Sequence, residues 1–312
     1  WFMKGAKIVV AGACSKQGPR HVNEDEYLVC CEWACEPKHA ALCAVFDGHG
    51  GHAVSQFAAK HLCSELRGEL NAWGWCTEDA RCGAAECAVL SLDRRLGKAL
   101  GVRGARSCGS TCTAAAVWPV DDDVFCVMLI TLGDSKALVV RKKEDTAAIE
   151  LVAETPIHKP DAPSEARRIR AAGGKVITGT NSQVARLNGE LALSRALGNL
   201  RLKSDATRPP EHQLLSALPE VMDLTCHSGD LLVLATDGIW DILESVEVAN
   251  MVHQMMDCTV GLSIDAAVER AAKGVVDEAL ARGSTDNATC IVVRLGVHAI
   301  LKEATAHESP SS

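Results

Sequence analysis

The chain has 312 residues, and its 32 Lys and Arg against 40 Asp and Glu give a formal net charge of −8. A composition of 47% hydrophobic and 23% charged residues is typical of a folded globular protein and excludes a disordered chain. No apolar run approaches the roughly 18 residues of a membrane-spanning helix. The acidic balance disfavours nucleic acid as the main ligand, because phosphate backbones bind clustered Lys and Arg.

Short apolar runs and longer periodic stretches predict alternating strands and helices along the chain. The runs that predict strands are rich in Val, Ile and Leu, and they cover residues 6–10, 40–46, 124–132, 137–140, 230–236 and 288–295. The periodic stretches that predict helices cover residues 51–68, 78–97, 164–172, 246–256 and 264–281. Ser164 and Ser263 are the predicted N-caps of two of these helices.

The order of these elements indicates the fold class. Strands 124–132 and 137–140 are joined by a short hairpin-like connection, whereas a doubly wound sheet would place a helix between them. The sequence therefore predicts an α+β protein with antiparallel sheets. No linker rich in Pro, Gly or Ser divides the chain, so one domain is expected. The chain begins at Trp1, which suggests that an N-terminal segment, with any targeting signal in it, has been removed.

Fifteen cysteines are compatible with a disulfide framework, a zinc site or reduced thiols. Their number is odd, the chain is long and there is no C-x-x-C pair, and the group Cys30, Cys31 and Cys35 lacks the spacing of a structural zinc site. Many lie inside apolar runs, where Cys behaves as a small hydrophobic residue. We expect mostly reduced thiols that pack in the core or lie at the surface.

Aspartates recur at the ends of predicted strands, next to Gly or Asn. These are Asp47, Asp134, Asp237 and Asp286, and Glu24-Asp25 precedes a further apolar run. If the strands share one core, their ends bring carboxylates together, and two carboxylates 4 Å apart repel by about 4 kcal/mol at an effective dielectric of 20. Such a cluster requires cations, and hard oxygen ligands suit Mg²⁺ or Mn²⁺. Each Asp-Gly taken alone is more often a turn than a metal ligand.

Two further side chains are candidates because of their neighbours. His49 lies two residues after Asp47, so it is a candidate proton donor, although a single His is usually structural or solvated. Arg20 lies four residues before Glu24 and could bind an anionic substrate with two hydrogen bonds, although most Arg side chains are surface charges.

In combination, these segments resemble the metal-dependent protein serine/threonine phosphatases of the protein phosphatase 2C type. The resemblance extends from about residue 7 to residue 295. The motifs that carry it are RHVNED (20–25), VFDGHGG (45–51), GST (109–111), LGDS (132–135), HKP (158–160), AGG (172–174), LSRALG (193–198), ATDGIWD (235–241) and STDN (284–287).

The resemblance implies a fold and a division of the chain. The expected fold is a central sandwich of two antiparallel β-sheets flanked by α-helices, with a metal centre at one end. Residues 1–298 would form one catalytic domain, and residues 299–312 a C-terminal tail. Residues 158–186 would form a flap beside the active site that biases substrate choice.

The resemblance also implies roles for individual residues. Asp47 would bridge two metal ions, Gly48 would supply its carbonyl oxygen, and Asp237 and Asp286 would complete the site. Glu24 and Asp25 would hold metal-bound waters. Arg20 would bind the phosphoryl oxygens, and His49 would protonate the departing serine or threonine oxygen. In some relatives a weaker third ion binds at the positions of Asp134, Asp237 and Asp241.

The implied reaction is the metal-dependent hydrolysis of phosphoserine and phosphothreonine in proteins. A water shared by two Mg²⁺ or Mn²⁺ ions would attack phosphorus directly, so no phosphoenzyme intermediate and no cysteine nucleophile is expected. The expected partners are phosphorylated proteins, without nucleic acid or a transmembrane segment. We expect a monomer with a cytoplasmic or nuclear location.

Two other functions compete with this interpretation. An inactive binding module on the same fold would be expected to have lost ligand aspartates, but Asp47, Asp237 and Asp286 are present. A metal-dependent nuclease or phosphodiesterase is disfavoured by the acidic charge. The chain departs from many relatives at Ile157 and Asn199, where Asp is frequent, and neither position is an expected metal ligand.

Overall fold

The structure is a computed structural model, and it describes residues 6–33, 40–143, 145–179, 184–258 and 263–299. Trp1, Cys35 and the predicted tail from residue 300 onward lie outside the described residues. The strands follow in chain order: β1 (Ala6–Lys16), β2 (Glu26–Trp33), β3 (Ala40–Phe46), β4 (Gly48–His49), β5 (Gly109–Ser110), β6 (Cys112–Asp121), β7 (Val124–Leu132), β8 (Lys136–Lys142), β9 (Ile149–Glu154), β10 (Val176–Thr178), β11 (Ala185–Leu187), β12 (Leu197–Gly198), β13 (Glu220–His227), β14 (Leu231–Ala235) and β15 (Ala288–Ala299).

Helices alternate with groups of these strands. In chain order they are α1 (Ala53–Trp73), α2 (Glu78–Ala99), α3 (Gly101–Gly104), α4 (Pro163–Ala171), α5 (Asp237–Trp240), α6 (Ser245–Asp257) and α7 (Ile264–Ala281). Short 3₁₀ turns cover Leu200–Leu202 and Pro210–His212. Five helices and six strands were predicted from the sequence, and each lies on an observed element. The predicted strands 40–46 and 124–132 have the observed bounds, whereas the bounds of the other predicted elements are shifted.

Two five-stranded antiparallel sheets form the centre of the molecule. One has the strand order β1-β15-β14-β8-β9, and the other has the order β13-β7-β6-β3-β2. Side chains from both sheets share one buried cluster, which includes Val127 and Leu129 of β7 and Leu232 and Leu234 of β14. The sheets therefore pack face to face, which confirms the predicted α+β sandwich.

Helices cover the outer faces of both sheets. Leu62 and Leu66 of α1 and Leu92 of α2 pack on the sheet that contains β7. Val252 of α6 and Val275 of α7 pack on the sheet that contains β14. Both faces of the central strands are therefore buried, which explains why these strands are continuous apolar runs rather than alternating ones.

The caps of two helices differ in how well they were predicted. The Ser263 hydroxyl accepts a hydrogen bond from Ala266 N at 3.3 Å, which confirms it as the N-cap of α7. The prediction of Ser164 as the N-cap of α4 was wrong. That helix begins at Pro163, whose ring fixes φ for the first turn, and the capping position is Ala162, which has no side-chain cap bond.

A buried ion-pair network attaches α4 to the segment before β12. The Glu165 carboxylate accepts hydrogen bonds from Arg168 Nη2 at 2.7 Å, Ser194 Oγ at 2.7 Å and Arg195 Nη2 at 2.8 Å. Burial alone would raise the pKa of Glu165, but the two guanidinium groups outweigh it and lower the pKa to about 2. The ionised carboxylate therefore fixes the position of α4.

Glu165→Gln is expected to lower the free energy of unfolding by about 3 kcal/mol above pH 5, because a carboxyl pKa of about 2 in the folded state lies well below its unfolded value. The folded pKa is depressed, so this contribution is present above pH 4.5 and is lost as the pH falls toward 2. Urea denaturation at several pH values measures it. Glu190→Gln, which removes an exposed partner of Arg201, is the control and should change nothing measurable. Equal effects of the two variants would contradict this account.

Candidate metal centre

The predicted acidic residues converge at one end of the sandwich. Asp47 stands between β3 and β4, Asp134 between β7 and β8, and Asp237 directly after β14. Two hydrogen bonds with Thr111 fix the backbone of Asp47. Asp47 N donates to Thr111 Oγ1 at 2.9 Å, and Thr111 N donates to Asp47 O at 2.9 Å. The three carboxylates offer oxygen atoms that all lie within 4.8 Å of one another.

The negative charge of this carboxylate cluster is only partly compensated by neighbouring side chains. Loss of hydration raises the pKa of Asp47 well above its ordinary value, and repulsion by Asp237 raises it further. Loss of hydration, followed by the charges of Asp134 and Asp241, raises the pKa of Asp237 to about 8. Such a cluster stores repulsion that divalent cations relieve, and its all-oxygen donor set suits Mg²⁺ or Mn²⁺. The residues present therefore fit the predicted metal ions.

Glycines allow backbone to approach the cluster closely. A Cβ on Gly48 would lie 2.3 Å from Glu24 O, and one on Gly238 would lie 2.0 Å from Asn287 O. Both distances are far shorter than van der Waals contact, so neither position accepts a side chain. The Gly residues beside Asp47 and Asp237 are therefore required by close packing against neighbouring backbone.

Eight of the ten predicted site residues line one cleft of about 480 Å³ over the cluster. They are Arg20, Glu24, Asp47, Gly48, His49, Asp134, Asp237 and Asp286. The other two, Asp25 and Asp241, are not among its lining residues. Asp241 is exposed at the end of α5. The fold thus brings eight of the ten predicted residues to one cleft.

Asp25 is buried beneath the cleft rather than in its wall. Its Oδ2 accepts hydrogen bonds from Thr289 Oγ1 at 2.7 Å and from Thr236 Oγ1 at 3.0 Å. Burial raises the pKa of Asp25 to about 6, although the two hydroxyl donors act to lower it. The carboxylate therefore connects Thr236, which follows β14 and precedes Asp237, to Thr289 of β15.

Two basic side chains neutralise part of the acidic cluster. Arg20 Nη2 lies 2.5 Å from Asp286 Oδ2, and the Arg20 side chain is 58% exposed. Lys159 Nζ lies 2.5 Å from Asp134 Oδ2. Burial acts to lower the pKa of Lys159, but the charge of Asp134, its hydrogen bond and the charges of Asp237 and Asp241 together outweigh burial, so the pKa is raised. Both cations occupy positions next to carboxylates that a metal ion would use.

Sequence reasoning gave no role to several residues of this region. Lys159 belongs to the quoted HKP motif, but no periodicity or strand end associates it with Asp134. Arg186 and Asn287 also line the cleft. Asn199 Oδ1 lies 2.7 Å from His49 Nε2. The only sequence signal for Asn199 was its departure from the residue that is frequent in the resembled family.

None of the described cysteines belongs to this carboxylate cluster. Several, such as Cys112 and Cys290, are fully buried. Burial raises the pKa of Cys112 to about 12, so its thiol is not ionised at neutral pH. Cys112 and Cys290 therefore pack as small hydrophobic groups, whereas Cys76 and Cys258 are exposed.

The metal-free protein is expected to lose stability as the pH rises toward 8. The raised pKa values of Asp237, about 8, and of Asp25, about 6, mean that the folded state binds more protons than the unfolded state, so the free energy of unfolding falls with rising pH. Burial lowers the pKa values of His49 and His253, which acts in the opposite direction up to about pH 6.5. The fall is therefore clearest between pH 7 and 8.

Urea denaturation in EDTA at pH 7.0, 7.5 and 8.0 measures this fall. Saturating Mn²⁺ is expected to abolish it, because a bound cation favours the ionised carboxylates. A metal-free protein whose stability stays constant or rises over this range would contradict the proposed repulsion between the carboxylates of the cluster.

No helix in the described part of the chain is long and apolar enough to cross a membrane.

Comparison with known proteins places these features in a family. The family model described as protein phosphatase 2C matches residues 9–288. The probable protein phosphatase 1N of Mus musculus is 36% identical over 283 residues, which cover 90% of this chain and 64% of that protein. The protein phosphatase 1A of Mus musculus is 30% identical over 309 residues, which cover 94% of this chain and 74% of that protein.

A solved structure agrees with these relatives. A phosphatase from Toxoplasma gondii has a TM-score of 0.78 and 26% identity, and the match covers 94% of each chain. The chain spans less than two thirds of the length of the mouse phosphatase 1N. The resemblance seen in the motifs is confirmed by the family match over most of the sequence: the chain belongs to the protein phosphatase 2C family.

Proposed function

We propose that the protein hydrolyses phosphoserine and phosphothreonine in proteins, using divalent cations held in the cleft. The observation that carries this proposal is the group of three carboxylates, from three separate strand ends, within 4.8 Å of one another. The names of the relatives, which are protein phosphatases, support the same chemistry.

The residues proposed to hold two Mg²⁺ or Mn²⁺ ions are Asp47, the carbonyl of Gly48, Asp237 and Asp286, with Glu24 and Asp25 acting through water. Bound divalent cations make water acidic enough to supply a nucleophile at neutral pH and neutralise charge on phosphoryl oxygens. A weaker third ion at Asp134, Asp237 and Asp241 would have to displace the Lys159 ammonium, which lies 2.5 Å from Asp134.

Two side chains would act on the substrate itself. Arg20, at the exposed rim of the cleft, would bind phosphoryl oxygens through its planar guanidinium group. His49, which also lines the cleft, would donate a proton to the departing alkoxide.

Direct attack by water is proposed in place of attack by a hydroxyl or thiol group of the protein. Among the described residues that line the cleft there is no Cys, Ser or Thr that could serve as a nucleophile. The single domain over residues 1–298, the monomeric state and the cytoplasmic or nuclear location stay predictions.

The test is phosphate release from matched peptides that carry phosphoserine, phosphothreonine or phosphotyrosine, with Mn²⁺, with Mg²⁺ and with EDTA. We expect release from the first two peptides only with a divalent cation, and little from bis(p-nitrophenyl) phosphate, a diester. Peptide binding without release would indicate an inactive binding module. Preferred cleavage of the diester would indicate a phosphodiesterase.

A further inference from the structure

Asn199 is a buried residue with a left-handed backbone conformation, and both ends of its side-chain amide are within hydrogen-bond distance of a partner. It directly follows β12, its φ is 47°, and it is 2% exposed. Its Nδ2 donates a hydrogen bond to Ser107 O at 3.0 Å, and its Oδ1 lies 2.7 Å from His49 Nε2. Both ends of the amide therefore have partners.

These contacts determine which atom of His49 carries a proton. A backbone carbonyl only accepts, so the Asn199 amide must direct its NH₂ group to Ser107 and its oxygen to His49. That oxygen also only accepts, so His49 Nε2 must carry a hydrogen and donate it. The ring nitrogen left for chemistry in the cleft is Nδ1.

The surrounding backbone holds Asn199 in this position. Gly198 N donates to Asp93 Oδ1 at 2.7 Å, and Asn199 N donates to Cys108 O at 2.8 Å. Asp93 Oδ1 also accepts from Lys203 Nζ at 2.8 Å, and this buried lysine donates to Ala196 O at 2.7 Å. The ion pair between Asp93 of α2 and Lys203 thus supports the αL conformation of Asn199.

The neighbouring glycine leaves room for the contact. A Cβ on Gly109 would lie 2.0 Å from Asn199 Oδ1 and 2.5 Å from His49 Nε2. Any side chain there would displace the hydrogen bond, so β5 is compatible with the pair only with glycine at this position.

We propose that Asn199 is a positioning residue for His49, which fixes the ring with Nε2 protonated and directs proton transfer through Nδ1. The proposal rests on the proposed phosphatase function. The Nδ1–H bond of the doubly protonated ring breaks as an O–H bond forms on the departing serine or threonine oxygen. The ring is left as the neutral Nε2–H tautomer, which the Asn199 oxygen stabilises, and water returns the proton to Nδ1.

The first test is independent of activity. The ¹⁵N spectrum of histidine-labelled, metal-free protein at pH 8 distinguishes protonated from unprotonated ring nitrogens, and His49→Gln identifies the His49 signals. We expect Nε2–H in the wild type and in Asn199→Asp, which keeps an acceptor. Asn199→Gly tolerates the positive φ but removes the acceptor, so it should give a mixture of tautomers. A wild-type ring protonated at Nδ1, or an unchanged Asn199→Gly spectrum, would overturn the proposal.

The second test measures the dependence on the leaving group. Asn199→Gly should lower kcat on a phosphothreonine peptide roughly tenfold more than kcat on p-nitrophenyl phosphate, whose leaving group needs little protonation. Asn199→Asp should restore most of the difference. The matched control is Asn188→Gly, which changes another αL asparagine and should leave the ratio unchanged.

The two tests separate the possible failures. Equal losses on both substrates in Asn199→Gly would overturn the positioning role in catalysis. A wild-type protein that releases no phosphate would overturn the proposed function and the catalytic role together, whereas the tautomer is decided by the spectrum alone.

Discussion

Asp237→Asn is expected to lower Mn²⁺-dependent hydrolysis of a phosphothreonine peptide by roughly 10³-fold or more, because it removes a charge-bearing ligand where transition-state charge must be stabilised. Asp237 carries the strongest combination of features in the cluster. Its carboxylate offers an oxygen within 4.8 Å of oxygens from Asp47 and Asp134, and its pKa is raised to about 8.

The same substitution is expected to stabilise the metal-free protein. An amide has no charge to desolvate, so Asp237→Asn removes the cost of the raised carboxyl pKa, which is about 4 kcal/mol at pH 7. Mn²⁺ should stabilise the wild type but not the variant. Loss of activity together with a gain in metal-free stability would distinguish a lost ligand from a damaged fold.

Asp205→Asn is a suitable control. Asp205 lies in a loop, where its carboxylate accepts hydrogen bonds from Thr207 and Arg208, and it does not line the cleft. This variant should keep full activity and full metal dependence. Full activity of Asp237→Asn, or wild-type activity that survives EDTA, would contradict the metal assignment.

The metal centre was accessible from the sequence because its carboxylates follow buried strands. Asp47 and Asp237 come directly after β3 and β14, and burial on both faces makes these strands conspicuous as unbroken apolar runs. Antiparallel packing then brings the strand ends to one end of the sandwich. Here a local pattern and the global fold specify the same site, so the prediction depended little on the exact register of the strands.

Three of the strands that were not predicted, β6, β9 and β13, lack a clear apolar pattern for physical reasons. β9 and β13 are edge strands with half-exposed residues, and their polar members, such as Asp223, interrupt the apolar pattern. β6 is central, but it contains three consecutive alanines and Pro119. Pro119 is tolerated because the pairing with β3 ends at Val117, so the proline lies where one side of the strand has no partner.

Residues that act through another residue were the hardest to predict. Lys159 and Asn199 contact the cleft residues Asp134 and His49 from segments with no strand-end pattern, and these contacts span 25 and 150 positions in the chain. No periodicity relates such distant residues. Their partners depend on tertiary packing, including the φ of 47° at Asn199, which a sequence alone does not specify.

His49→Ala is expected to lower kcat on a phosphothreonine peptide by about 10²–10⁴-fold, the usual contribution of a general acid, and to affect p-nitrophenyl phosphate much less. An alkoxide leaving group requires a proton, whereas nitrophenolate departs without one. His52→Ala is the matched control, since His52 is exposed three residues further on and makes no side-chain cap bond to α1.

The comparison of the two substrates distinguishes a proton donor from a residue that only supports the fold or the metal site. A histidine that only supported the fold or the metal ions would, when removed, slow both reactions equally, because both pass through the same cleft. Equal losses would therefore exclude His49 as the acid and leave the departing oxygen to be protonated by solvent. A selective loss on the alkyl ester would assign the proton transfer to His49, whose Nε2 is already committed to Asn199.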